Sequence, residues 1–189
     1  MNEEIFPIVD ENDNLIGAKP RKDVLESDIF RVAGLVLVNK KGEILLAKRA
    51  ATKKLDPNEW GHAAAGHVQA GETYEESIRR ETEEELGIKL PCLAPLSKSF
   101  HENINPITGK LRRRFSQSFI ALAELPISAF RPDPTEVSEV RWISLQNLEK
   151  ELKLSPANFV PSMSDILVDI KSFLSNHPDF LKGNKKEKP

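Results

Sequence analysis

The chain has 189 residues, 39% hydrophobic and 30% charged, which fits one soluble globular domain with a substantial core. A formal net charge of −2 excludes the basic footprint of a general nucleic-acid binder, and no stretch reaches the ~20 apolar residues needed to span a bilayer. The single cysteine, Cys92, excludes an internal disulfide or a thiolate metal cluster. With Pro91 before it and an apolar run after it, Cys92 reads as a structural residue.

In chain order, residues 5–18 read as a β-hairpin whose two apolar runs flank the turn Asp10-Glu11-Asn12-Asp13-Asn14. That turn lacks the glycine and distal glutamate of a calcium loop, so it reads as solvated. The N-terminus is acidic without an apolar signal core, which points to a cytoplasmic protein. A second hairpin is expected where VAGLVLV and EILLAKR flank Asn39-Lys40-Lys41-Gly42. A loop then crosses residues 53–58 and passes Trp60 into an acidic segment.

Thr73 and Glu76 form a capping box for a helix that Gly87 ends, with Ile78, Thr82 and Leu86 as its core-facing stripe. Strands are expected near 93–100 and 115–125, joined across Ile107-Thr108-Gly109, and again at 137–143. A serine-capped helix follows at 144–152. A last helix spans about 162–175, with Met163, Ile166, Leu167, Ile170, Phe173 and Leu174 on one face. The domain is expected to occupy residues 1–181, followed by a disordered lysine-rich tail at 182–189. Strands and helices in this order suggest a mixed β-sheet flanked by helices, an α/β class.

The chemistry concentrates between Gly66 and Ile88. Glu81, Glu84 and Glu85 stand at i, i+3 and i+4, so their carboxylates share a helical face. Like charges so placed oppose the helix by a few tenths of a kcal/mol per pair. A divalent cation turns that repulsion into ligation, and Mg²⁺ favours a few carboxylate oxygens with waters and substrate phosphates. The plainer alternative is an acidic helix face that is merely solvated.

Gly66, Glu72, Arg80, Glu81, Glu84, Glu85, Gly87 and Ile88 fall where the Nudix box has its fixed positions, so the segment resembles the Nudix hydrolase superfamily. Thr82 departs, standing where a bulky aliphatic is usual. The resemblance implies an α/β/α sandwich and hydrolysis of a phosphoanhydride with one to three Mg²⁺ or Mn²⁺ ions. It makes Glu81, Glu84 and Glu85 the main metal acids and the Ala65 carbonyl an added ligand. Glu81 then orients or deprotonates the water, Arg80 fixes carboxylate orientation from Glu76 and Glu84, and Glu72 supports the loop. One further acid is expected beyond the box, Glu136 or Glu139, with Glu102 beside His101 a weaker candidate. His67, and less so His62, is a candidate phosphate or metal contact with loop bonding as the alternative. Arg112, Arg113 and Arg114 could meet an anionic group, Arg114 being the candidate substrate contact, or form a solvated hairpin edge. Trp60, Phe100 and Phe115 could stack on a base or belong to the core.

PIVDENDNLIG, LLAKRAATKK and NEWGHAAAGHVQAGE also resemble the isopentenyl-diphosphate isomerase branch of that superfamily. Those isomerases carry a cysteine immediately before the Gly-His of the box loop and metal-binding histidines upstream of it. Here Ala65 takes the cysteine's place and no histidine precedes His62. Alanine moves no proton, so the expected activity is hydrolysis of a diphosphate linkage, in a nucleoside diphosphate joined to another group. Prenyl diphosphate isomerisation and a catalytically silent binding module are the rivals. The extra edge of the N-terminal hairpin suggests a homodimer, by analogy of fold.

Overall fold

The computed structural model describes residues 3–90 and 92–183. Its elements are β1 (Ile5–Val9), β2 (Leu15–Pro20), β3 (Ile29–Val38), β4 (Glu43–Arg49), β5 (Trp60–Gly61), β6 (Ala64–His67), α1 (Tyr74–Leu86), β7 (Ala94–Ile104), β8 (Leu111–Leu122), β9 (Val137–Ser144), α2 (Leu145–Leu154) and α3 (Met163–Asn176). No helix among the described residues is long and apolar enough to cross a membrane.

β3 organises the sheet. Its apolar run is nearly continuous because both of its faces are covered. Ala33, Leu35 and Leu37 enter one core with Ile78 and Leu86 of α1. Val36 and Val38, on the alternate face, enter a second core with Leu148 and Leu152 of α2 and Met163, Ile166, Leu167 and Ile170 of α3. Helices thus cover both faces of a mixed sheet, the expected sandwich. Along one edge β3 runs parallel to β8 over its full length, and β7 lies antiparallel outside β8.

The second expected hairpin needs correction. β3 and β4 pair only at Val38 and Ile44, next to the turn. The same edge of β3 is taken at Val32–Leu35 by β6, so β4 leaves and pairs with β9 from Glu43 to Arg49. That parting opens the sheet beside β6, where the acidic helix lies.

α1 forms as its sequence prescribes. Thr73 accepts from the Glu76 amide at 3.2 Å, Glu76 accepts from the Thr73 amide at 2.8 Å, and Gly87 closes the helix at φ 68°. Thr82 is buried but not orphaned, its hydroxyl donating to the Ile78 carbonyl at 2.6 Å. α2 starts under the Ser144 cap.

Three other expectations change. The turn at residues 10–14 is solvated at Glu11, Asn12 and Asn14 as expected but anchored at Asp13, whose carboxylate accepts from Arg31, Lys98 and the Tyr74 hydroxyl. Burial works against its ionisation, but these donors outweigh it and hold Asp13 below the usual carboxylate range. Cys92 is exposed and fills no core position. Lys182 closes a 3-10 turn at Phe180–Lys182, and Phe180 and Leu181 pack on the second core. The rest of the expected tail, residues 184–189, lies outside the described residues.

Candidate functional site

β6 and α1 build the site together. Gly66 on β6 lies so close to α1 that a Cβ there would stand 2.0 Å from Cδ of Glu81. A side chain at 66 would therefore displace that carboxylate, which accounts for glycine at this position. One residue earlier, the Ala65 amide donates to Glu85 Oε2 at 3.1 Å. Two carboxylates from successive turns of α1 are thereby held against a single strand.

Their surroundings are unfavourable for charge. Burial, then the nearby Glu81, pushes Glu85 up to about 8, with Glu136 adding to the effect against the Ala65 bond and Lys53. Burial also raises Glu81, although Arg80 opposes it. Glu84 differs, being 59% exposed, with its carboxylate 3.1 Å from Arg80 Nη1.

Arg80 ties the cluster together. Its Nε and Nη2 donate to both oxygens of Glu72 at 2.7 and 3.0 Å, and Nη1 donates to Glu81 at 2.8 Å. Nη2 also reaches the His67 carbonyl at 3.2 Å. The expected Arg80–Glu76 contact is replaced by the Glu72 fork, because the Glu76 carboxylate is occupied by the cap. Glu72 supports the loop as expected, accepting from the Gln69 amide at 3.0 Å. Its Arg80 bonds keep its pKa low.

Beside Glu85 lies a cavity of about 40 Å³, lined by Arg49, His62, Ala65, Glu85 and Glu136 among others. It has room for a water or an ion. The structure thus separates the two acids that the sequence left level. Glu136 reaches the cavity and is paired with Lys53, whereas Glu139 is exposed on β9 opposite Lys48. Glu102 is also exposed, bonded to Arg113 at 3.0 Å.

The donor chemistry suits a hard divalent cation. Glu81 and Glu136 both raise Glu85, which has the Ala65 amide as its hydrogen-bond partner. No three His, Cys, Asp or Glu side chains among the described residues already converge as a metal cage. Arg80 and Lys53 occupy carboxylate oxygens that a cation would need.

His62 packs against Gly34 and lines the cavity, and burial pushes it down to about 4. His67 stacks on Phe6 at 4.5 Å between ring centroids, and burial pushes it down to about 3. Both are neutral near pH 7. Arg114 is half-buried and donates to Asn103 at 2.5 Å. Trp60 lies under Arg141 at 4.3 Å and borders the second core. Phe100 and Phe115 pair at 5.2 Å, with Phe100 43% exposed, so that pair is neither core nor part of the cavity.

The site also includes Arg49, which lines the cavity, and Lys53, which pairs with Glu136; both lie in LLAKRAATKK, where no spacing distinguishes them from solvated charges.

Comparison with known proteins agrees with this geometry. The sequence matches the NUDIX domain family over residues 29–163. An uncharacterized Nudix hydrolase of Pseudomonas aeruginosa is 33% identical over 172 residues, 90% of this chain and 94% of that protein. A prenyl-diphosphate phosphatase of Methanosarcina mazei is 29% identical, covering 86% and 92%. An isopentenyl-diphosphate Delta-isomerase of Brevibacterium linens is 26% identical, covering 92% and 95%. A crystal structure from Deinococcus radiodurans shares the fold with a TM-score of 0.70 at 24% identity, covering 87% of this chain and 97% of that one. With the family matched over most of its length and the box acids gathered beneath β6, the chain belongs to the Nudix family.

Proposed function

We propose that the chain hydrolyses a phosphoanhydride bond of an organic diphosphate with one to three Mg²⁺ or Mn²⁺ ions. The observation that carries this reading is the Glu81–Glu85 pair, two carboxyl groups packed together against Gly66 and Ala65, with Glu85 buried and Glu81 nearly so. Such an arrangement is costly for the metal-free protein and favourable once a cation shares the site. A bound divalent ion would offset phosphoryl charge and acidify a water.

The chain's own groups have separate tasks. Glu85, Glu81 and Glu136, with the Ala65 carbonyl, would hold the cation, and Glu84 would join by turning from Arg80. A raised pKa makes Glu81 a stronger proton acceptor than an exposed glutamate, which suits it to orient and deprotonate the water. Arg80 and Glu72 keep the helix and loop in register. Ala65 supplies no proton, which favours hydrolysis over isomerisation.

The organic group has two readings. The sequence favours a nucleoside diphosphate carrying a further moiety. The phosphatase relative from Methanosarcina mazei favours a prenyl diphosphate. Chromatographic detection of cleavage products with and without Mg²⁺ from ADP-ribose, dinucleotides, nucleotide sugars, coenzyme A, nucleoside triphosphates and prenyl diphosphates tests both. No metal-dependent product from any of these would sink the hydrolase reading, and conversion of isopentenyl diphosphate would restore isomerisation. A homodimer through the exposed outer strand of the hairpin, where Leu15 and Ile16 are 65% and 66% exposed, is the assembly proposed, to be read by light scattering.

A further inference from the structure

Next to Gly66 on β6 the chemistry reverses. His67 follows by one residue, about 3.3 Å along the strand, and so points to the other face of the sheet. Its ring stacks on Phe6 and lies 5.6 Å from Phe30. Arg21 sits over Phe6 at 5.8 Å and Arg112 over Phe30 at 5.5 Å. Arg112 and Arg114 flank Arg113 on β8, so alternation puts them on one face together, with Arg114 opposite Phe30 of β3. Arg113 points the other way, to Glu102 and Glu11.

Of Arg21, Arg112 and Arg114, two lie over aromatic rings and only Arg21 has a carboxylate partner among the described residues. Arg114 donates to the neutral Asn103 side chain. The Arg112 side chain has its ring contact with Phe30 and no hydrogen bond or ion pair among the described residues. Arg21 alone has a carboxylate partner, Glu4 at 2.7 Å. Burial lowers the pKa of both Arg112 and Arg114; Arg21 lowers Arg112 further and Arg112 lowers Arg114. Asp56, on the loop between β4 and β5, opposes both shifts. Its backbone is left-handed, φ 49°, a conformation uncommon for a non-glycine residue. The two clusters adjoin, because Arg80 bonds both Glu81 at 2.8 Å and the His67 carbonyl at 3.2 Å, while Lys53 pairs with Glu136 and its charge also bears on His67.

We propose that Arg112, Arg114 and Arg21 form an anion subsite beside the carboxylates that receives an uncapped terminal phosphate of the substrate, displacing Asp56. The proposal rests on the phosphoanhydride reading and narrows it. A terminal phosphate carries nearly two negative charges and three acceptor oxygens, which match several guanidinium forks. A phosphate esterified to a second group carries one charge. The subsite therefore favours substrates ending in a free diphosphate, whether on a nucleoside or a prenyl chain, over the doubly capped class that the sequence favoured.

Titration calorimetry with inorganic pyrophosphate and no metal reads the subsite without turnover. Arg112→Gln and Arg114→Gln should each weaken binding about 10- to 100-fold, the worth of a charge-assisted bond. Arg114→Lys should recover part of the loss, and Asp56→Asn should tighten binding. Unchanged affinity in both glutamine variants, with melting temperatures equal to the parent, overturns the proposal. In turnover, ADP should exceed ADP-ribose in kcat/KM, and a prenyl diphosphate compared with ADP identifies the organic group. Preference for ADP-ribose also overturns the proposal. Arginine-dependent pyrophosphate binding with no hydrolysis of any diphosphate would support the subsite and remove the hydrolase reading.

Discussion

Two clusters of like charge face opposite sides of one four-residue strand, and they are stabilised differently. Beneath Gly66, Glu81 and Glu85 are acids kept out of water by α1 and β6, with Arg80 balancing part of their charge. Past His67, Arg112 lies over the Phe30 ring and Arg114 is held by Asn103, with the Asp56 charge acting on both. Burial pushes each cluster towards its neutral form, Glu85 strongly so and the arginines less. The difference is that a buried carboxylate can become neutral by taking up a proton near neutral pH, whereas a guanidinium cannot become neutral by giving one up. The acid pole can therefore wait protonated for a cation, while the basic pole stays charged and needs an anion.

The largest predicted effect comes from breaking the acid pole. Glu85→Gln should lower metal-dependent turnover by about 100-fold or more, since it removes a ligand to the ion that balances transition-state charge. Glu84→Gln should also impair turnover but cost less, because that carboxylate is exposed and bonded to Arg80. Both are read from kcat at saturating Mg²⁺.

Arg80→Met should come next. It leaves Glu72 and Glu81 without their shared cation, a loss of about 2–4 kcal/mol measured by urea denaturation. Gly66→Ala should follow, forcing Glu81 aside at a cost of about 1–3 kcal/mol and lowering activity with it.

The acid pole also has a pH signature. Folded Glu85 holds its proton to about 8, whereas the unfolded residue releases it near 4.5. Between those values the folded state binds more protons, so this group's contribution to stability falls as pH rises. Metal-free protein should lose melting temperature across that window, Glu85→Gln should lose less, and Mg²⁺ should restore the parent at about pH 8. The neutral histidines act in the opposite sense. His62 and His67 titrate near 4 and 3 when folded, so stability falls as pH drops below about 6.5. The smallest effect belongs to Glu83→Ala, on the exposed side of α1. Its loose pair with Lys89 at 3.1 Å should be worth under about 0.5 kcal/mol and leave turnover unchanged.

Much of the acid pole was legible because it is local. The spacing of Glu81 and Glu85, the Thr73–Glu76 cap and Gly87 all express one helix, and one helix has one period. What spacing could not reveal was that Glu84, between them in sequence, turns outward to Arg80, or that Arg80 forks onto Glu72 while Glu76 serves the cap. The basic pole is assembled from the β1–β2 hairpin, β3, β6 and β8, four separate stretches of chain. No local pattern joins Arg21 to Arg112; they meet because Arg21 lies over Phe6 and Arg112 over Phe30, rings that pack together at 5.7 Å. The β3–β4 hairpin was misjudged for a similar reason, since the competing strand β6 comes from beyond the turn. Glu136 and Glu139 lie three residues apart, and only the cavity beside Glu85 distinguishes them.

The central claim is that the acid pole binds a divalent cation in order to cleave a diphosphate. Phosphate release from ADP and from a prenyl diphosphate, by the parent and by Glu85→Gln over a Mg²⁺ titration, tests it most directly. Release that saturates with Mg²⁺ in the parent and nearly vanishes in the variant is the predicted result. Equal release by both proteins, or release indifferent to Mg²⁺, would contradict it.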